Sequence, residues 1–212
     1  MSTAFKKVIL ASASPRRREL LTGAGFALEI LPPDIEEVRR PTETPKEYSL
    51  RNAREKSQAI HNKNPLELAF IISADTIVVA ADGTLLEKPS DAQHATSMLR
   101  LLSGQWHTVF TAYAILECPQ GTFVSQRVIE TRVKFRPLGD EEIQAYIATG
   151  EAFDKAGSYG IQGYAASFVE SLDGSYTNVV GLPLSHIIED LKNHLGELNL
   201  MGGLLLLSKN SK

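Results

Sequence analysis

Residues Ala69 to Leu86 read AFIISADTIVVAADGTLL, and this stretch decides the fold. From Ala69 to Ala80 it is almost unbroken apolar sequence rich in β-branched residues, the composition of a buried strand. Asp82-Gly83 then supplies a tight turn into Thr84 to Leu86, so the chain folds back as a hairpin. A hairpin set among alternating strands and helices argues for an α/β protein with a mixed sheet, because purely parallel winding leaves no hairpins.

Upstream, Lys7 to Ala11 reads as a buried strand, and Pro15 suits the first turn of a helix capped by Ser14 and running to about Ala24. Phe26 to Leu31 predicts a second strand, stopped by Pro32 and Pro33. Pro45 to about Ile60 predicts a helix, with Thr44 as N-cap and Glu47 as its capping-box partner. Downstream, Asp91 to Leu102 and Asp140 to Ala148 read as helices, and Trp106 to Leu116 and Thr122 to Phe135 as strands. Ala165 to Glu170 and Tyr176 to Val180 read as strands around an Asp173-Gly174 turn. A last helix starts at Pro183 and runs to about His194. No repeat, linker or low-complexity segment interrupts the chain, so residues 1–212 are expected to form a single domain with an apolar tail from about 197 to 212.

The 212 residues are enough for a sizeable core, and 43% apolar with 22% charged residues is a globular composition. The net charge of −3 argues against general nucleic-acid binding, which needs a basic surface, while leaving room for a local basic pocket. The single cysteine, Cys118, excludes an internal disulfide framework and fits a reducing, cytoplasmic setting. No run approaches the roughly 18 apolar residues of a membrane span. The short run Leu204 to Leu207 in the tail reads as a packing or dimer contact. The five histidines (His61, His94, His107, His186 and His194) show no metal-ligand spacing and read as structural or exposed.

Chemistry concentrates in a few places. Asp75 is an acid in the middle of the apolar strand; burying it unpaired costs several kcal/mol, so the fold must supply a cation such as a metal or a lysine, supply hydrogen bonds, or keep the acid protonated, the alternative being a strand-end acid that points to solvent or is paired structurally. SASPRRRELL, from Ser12 to Leu21, ends a strand and opens a helix with three arginines in a row. A helix N-terminus and guanidinium forks both favour phosphate, the alternative being an ordinary solvated basic face. Asp34, Glu36 and Glu37 form an acidic loop able to hold a hard cation if it faces Asp75. Lys56, Lys88 and Lys155 are, each taken alone, more often surface lysines than ligands, but the last two sit beside turns, where loops tend to carry function. DKAGSYGIQG, from Asp154 to Gly163, is a glycine-rich loop in which the Gln162 amide can donate to and accept from a base edge.

Taken together these segments resemble the Maf family of nucleotide pyrophosphatases, over nearly the whole chain from Val8 to about Leu191. The motifs that carry the resemblance occur in order: S-x-S-P-R-R, the acidic loop, A-x-E-K, A-D-T-I-V, E-K-P, S-G-x-x-H-x-V-x-T, D-K-A-G-x-Y-G-I-Q-G and G-S-Y-x-N-V-V-G-L-P. The resemblance implies an inosine triphosphatase-like fold, with an elongated mixed β-sheet flanked by helices and two lobes around a cleft. It implies hydrolysis of a nucleoside triphosphate to monophosphate and pyrophosphate with Mg²⁺ or Mn²⁺, and a homodimer. It places the catalytic base on Asp75, substrate choice on Arg16, Thr76 and Gln162, triphosphate contacts on Ser14, Arg17, Lys56, Lys88 and Lys155, and metal or water contacts on Glu37 and Asp75. The Y-G-I-Q-G form resembles the branch acting on dTTP and UTP. The residues alone leave Asp75 as either metal ligand or base, and leave a non-hydrolysing nucleotide sensor as the rival reading.

Overall fold

The computed structural model describes residues 7–63 and 68–195, together with the backbone of 197–201 and 204–208. Element order is β1 (Lys7–Leu10), α1 (Pro15–Gly23), β2 (Leu28–Ile30), α2 (Pro45–Lys63), β3 (Ala69–Val79), β4 (Leu85–Leu86), α3 (Ala92–Leu102), β5 (Trp106–Cys118), β6 (Thr122–Phe135), α4 (Asp140–Ala148), β7 (Val169–Asp173), α5 (Tyr176–Val180) and α6 (Leu184–Leu195). Seven strands form a mixed sheet in the order β2-β1-β3-β5-β6-β7, with β4 paired to β3. β1 runs parallel to both β2 and β3, while β4 is antiparallel to β3 and β7 is antiparallel to β6. The expected mixed α/β sheet flanked by helices is therefore present. The tail's backbone pairs as a small hairpin, β8 (Glu197–Met201) with β9 (Leu204–Ser208). The packing expected of its side chains lies outside the described residues.

The chain divides into two compact units. The first comprises residues 1–75, 112–128 and 181–212; the second comprises 76–111 and 129–180. In the first unit, Ile9, Ala11, Ala69 and Ile71 of the parallel strands pack with Ile60, Leu116 and Cys118. A second cluster is made of Ala53, Ala112 and Ala114, all fully buried. These alanines let α2 lie close to the sheet. The buried Ser73 hydroxyl ties it there by donating to the Ala53 carbonyl at 2.6 Å. α2 starts as its sequence predicts: Thr44 Oγ1 accepts from the Glu47 N–H at 3.3 Å, and Glu47 Oε2 accepts from the Thr44 N–H at 2.9 Å.

The second unit has an aromatic core. Phe135 meets His107, Tyr159 and Phe168 edge-on, with ring centroids 4.9, 4.7 and 5.9 Å away, and Tyr146 packs on Phe168 at 5.2 Å. Edge-to-face contact is the arrangement that aromatic quadrupoles favour.

Two expected strands are corrected here. Gly163–Phe168 is a 3₁₀ turn, and Tyr176–Val180 is a short helix. The β-branched Thr177, Val179 and Val180 suit a strand by propensity, but Asn178 decides the outcome. Its N–H donates to the Ser175 hydroxyl at 3.3 Å, and its buried amide donates to the Val109 carbonyl at 3.2 Å and to Thr131 Oγ1 at 3.0 Å. A helical turn satisfies all three; an extended chain cannot turn both the backbone and the side chain that way. The turn before it needs glycine: Gly174 has φ +125°, and a Cβ there would sit 2.8 Å from Thr131 Oγ1.

Candidate active site

The apolar strand delivers Asp75, only 6% exposed, at the end of the first unit's portion of β3. α2 delivers its partners. Lys56 and Asn52 are four residues apart and so share one helix face; both are buried. Lys56 Nζ lies 2.7 Å from Asp75 Oδ1, and Asn52 Nδ2 donates to Asp75 Oδ2 at 3.2 Å. Each carboxylate oxygen thus has its own donor, and hydrogen bonding to the charged form is what makes a buried carboxylate tolerable. The amide oxygen of Asn52, Oδ1, is sealed from solvent with no hydrogen-bond partner.

The acidic loop contributes one residue. Glu37 Oε2 lies 3.0 Å from Lys56 Nζ, so one ammonium bridges two carboxylates. The loop is held at that place by Tyr48, whose hydroxyl donates to the Glu37 carbonyl at 2.9 Å. Asp34 instead faces Lys63 at 3.8 Å, with its side chain almost fully exposed, and Glu36 is exposed.

The S-x-S-P-R-R segment follows β1. Ser14 caps α1, accepting from the Arg17 N–H at 3.5 Å. Arg17 folds back within its own unit: Nε donates to the Gly181 carbonyl at 2.8 Å and Nη1 to Ser12 Oγ at 3.2 Å. Burial pushes the Arg17 pKa down, the negative charges of Asp75 and Glu37 oppose the fall, and Arg16 adds to it. A guanidinium stays protonated through such a shift, so Arg17 is a fixed positive charge beside the two carboxylates. Arg16 is half-buried on the same first turn.

The other expected site residues belong to the second unit. Thr76 Oγ1 is 3.0 Å from Thr111 Oγ1, and Thr111 donates to the Asn178 carbonyl at 2.8 Å. A hydroxyl has one proton, and that of Thr111 is committed to a carbonyl, which can only accept. Thr76 is therefore the donor in the Thr76–Thr111 bond. Thr111 closes one sequence motif and Asn178 lies within another, and a buried polar chain is what they build. Lys155 Nζ turns back onto the Glu151 carbonyl and the Asp154 carboxylate. Its stem crosses Gly160 so closely that a Cβ there would lie 2.7 Å from Lys155 Cε. Gln162 is exposed at the start of the 3₁₀ turn, just before Gly163 with φ +72°, and Lys88 is exposed after β4. His107 is buried, bonded through Nε2 to the Tyr159 hydroxyl at 2.7 Å; burial pushes its pKa down to about 4 and keeps it neutral at physiological pH.

The sequence reading missed Asn52. The signal was available: four residues before Lys56 on a predicted helix, a polar side chain shares the lysine's face. Among the described residues no three His, Cys, Asp or Glu side chains gather as a metal cage. Asp75 and Glu37 nevertheless fit Mg²⁺ or Mn²⁺ by donor chemistry, since such ions take oxygen ligands and are commonly held by one or two carboxylates plus substrate phosphates.

A family model described as "Maf-like protein" matches residues 7–194. A dTTP/UTP pyrophosphatase from Geobacter metallireducens is 49% identical over 88% of this chain and 95% of its own length. The dTTP/UTP pyrophosphatase from Salmonella typhimurium is 50% identical over 87% of this chain and 91% of its own, and that from Syntrophotalea carbinolica 48% over 87% and 83%. Among solved structures, a HAM1 protein from Coxiella burnetii aligns with 89% of this chain and 99% of its own at 15% identity and TM-score 0.47.

Proposed function

This chain belongs to the Maf-like protein family, and from that premise we propose that it is a nucleoside triphosphate pyrophosphatase that hydrolyses dTTP and UTP to the monophosphate and pyrophosphate. The observation that carries the reading is Asp75: an acid buried in an apolar strand, with Lys56 on one oxygen and Asn52 on the other. A purely structural strand gains nothing from so costly a group.

Asp75 receives a proton from the attacking water as the water oxygen bonds to the α-phosphorus. The bond from that phosphorus to the bridging oxygen breaks, and the electron pair leaves with pyrophosphate. Each Asp75 oxygen keeps lone pairs beyond those engaged by Lys56 and Asn52, so the carboxylate can accept that proton while held in place. Arg17 is fixed by Gly181 and Ser12 and adds positive charge beside Asp75 and Glu37, where a polyphosphate brings negative charge. Arg16, Ser14, Lys56, Lys88 and Lys155 serve the triphosphate. Asp75 and Glu37 would hold a Mg²⁺ or Mn²⁺ ion, which would supply charge neutralisation and a more acidic water.

Base choice falls to Gln162 and Thr76. The Gln162 amide donates and accepts, matching the carbonyl and ring N–H of thymine and uracil. Thr76, its proton committed to Thr111, offers lone pairs to that ring N–H. Cytosine presents a lone pair at the same ring position and meets repulsion in place of a bond. A cytoplasmic setting fits the single cysteine, and no helix among the described residues is long and apolar enough to cross a membrane. We carry the homodimer forward as the assembly to test by sedimentation.

The experiment is pyrophosphate release by Asp75→Asn alongside the unaltered protein. Turnover of dTTP and UTP is abolished, while nucleotide binding stays within about tenfold, 1.4 kcal/mol. Retention of a large fraction of turnover by the variant contradicts the role given to Asp75.

A further inference from the structure

Asn52 occupies a position that no packing argument explains. It is fully buried on the face of α2 that meets the sheet, among Ala53, Lys56 and Ser57. Its Nδ2 donates to Asp75 Oδ2 at 3.2 Å, but its Oδ1 is sealed from solvent and has no partner. Turning the amide over would aim oxygen lone pairs at the Asp75 carboxylate, so the orientation with nitrogen on Asp75 is the one chemistry permits. Half of the amide's hydrogen-bonding capacity is thus left unmet in the interior, which destabilises the fold. A leucine of similar volume would remove that orphan, but it would take the donor from Asp75 Oδ2.

We propose that Asn52 is a positioning residue for the reaction, kept with one amide oxygen unmet because its other end fixes the Asp75 carboxylate. The proposal rests on the reading of Asp75 as the residue that takes the water's proton. Lys56 alone anchors one oxygen and leaves the carboxylate free to rotate about the Cβ–Cγ bond. Asn52 takes the second oxygen and stops that rotation. The two donors approach from successive turns of one helix, which Ser73 ties to β3 through the Ala53 carbonyl, the residue next to Asn52. The carboxylate plane is therefore set by the helix. This is the pre-orientation that a proton transfer from a positioned water requires, and a misplacement of about 1 Å is enough to cost a large factor in rate.

The test compares Asn52→Leu, which removes the donor and the orphaned oxygen at similar volume, with Asn52→Asp, which keeps the shape and replaces the donor by an acceptor. Steady-state kinetics on dTTP and thermal unfolding are measured for both, with Asp75→Asn in parallel. In Asn52→Leu, kcat measured well below the unfolding transition falls about tenfold or more (1.4 kcal/mol in the barrier), KM stays within about threefold, and Tm falls because Asp75 Oδ2 loses its donor. Asn52→Asp falls at least as far in kcat. A purely structural role lowers Tm and leaves kcat within twofold of the unaltered protein at temperatures where both are folded, and overturns the proposal. If Asp75→Asn remains active, the reading of Asp75 itself has failed; if Asp75→Asn is dead and Asn52→Leu is fully active, only the role given to Asn52 has failed.

Discussion

Replacing Lys56 by methionine removes one charge from a cluster of three, two of them buried, and keeps the side chain's length. Lys56 Nζ lies 2.7 Å from Asp75 Oδ1 and 3.0 Å from Glu37 Oε2, with Lys56 and Asp75 each only 6% exposed. Unit charges 2.7 Å apart attract by about 6 kcal/mol at an effective dielectric near 20. The variant no longer buries an ammonium, which returns several kcal/mol of desolvation cost, but Asp75 stays buried with only Asn52 bonded to it. Glu37 is almost half exposed, and solvent screens most of its share. The net loss is about 3 kcal/mol, which at roughly 2–4 °C per kcal/mol for a chain of this size lowers Tm by about 6–12 °C. The loss comes from an uncompensated carboxylate, so neutralising that carboxylate recovers it: Lys56→Met/Asp75→Asn is more stable than Lys56→Met alone by about 2 kcal/mol. Denaturant unfolding of the two single variants, the double variant and the unaltered protein closes the cycle. A double variant no more stable than Lys56→Met refutes the reasoning, because it places the loss in packing and not in charge.

Three further outcomes are expected. His107 has a folded pKa near 4 against about 6.5 when unfolded, so the unfolded chain binds the proton first as pH falls. Stability from this group is complete above pH 6.5 and is lost toward pH 4, by about 2 kcal/mol at pH 5, and His107→Gln flattens that slope in unfolding curves at pH 7 and 5; an equal slope in both proteins counts against it. Arg16→Ala raises KM for triphosphate, and the penalty shrinks as salt rises, since charge-assisted contacts near the surface are screened; an unchanged KM points to a solvated basic face. Thr111→Val frees the Thr76 proton to donate, and Gln162→Ala removes the donor–acceptor amide. Each therefore lowers the ratio of UTP to CTP kcat/KM by about tenfold, and a ratio unmoved in both removes base reading from these residues.

The parts of this chain legible in its sequence are those written in local chemistry. The Thr44–Glu47 capping box, the Ser14 cap, the Asp82-Gly83 turn and the apolar run around Asp75 all stand where their residue types put them, because each depends on neighbours a few positions away. Tyr176–Val180 was misread because a local propensity for strand is overruled by Asn178, whose partners Val109 and Thr131 lie 69 and 47 residues away. Asn52 was passed over for a similar reason. Helical spacing to Lys56 is visible in the sequence, but its bond to Asp75 spans 23 residues and needs the tight approach of α2 that Ala53, Ala112 and Ala114 permit. The acidic loop shows the same limit within three residues. Asp34, Glu36 and Glu37 are equivalent as a sequence, and the bonds of Tyr48 to the Glu37 carbonyl and of Arg51 to the Val38 carbonyl hold the loop where Glu37 reaches Lys56. Lys155 was legible as a lysine beside a glycine loop, whereas its crossing over Gly160 was not.

The claim at the centre is that this chain cleaves pyrimidine triphosphates between the α- and β-phosphates and prefers thymine and uracil. Initial rates with the purified chain and Mg²⁺ or Mn²⁺, across dTTP, UTP, CTP, GTP, 7-methyl-GTP and ATP, with products separated by anion exchange, test it directly. The highest kcat/KM is expected for dTTP and UTP, each yielding nucleoside monophosphate and pyrophosphate in equal amounts. Fastest turnover of a guanine nucleotide, or release of diphosphate nucleoside and inorganic phosphate, contradicts it.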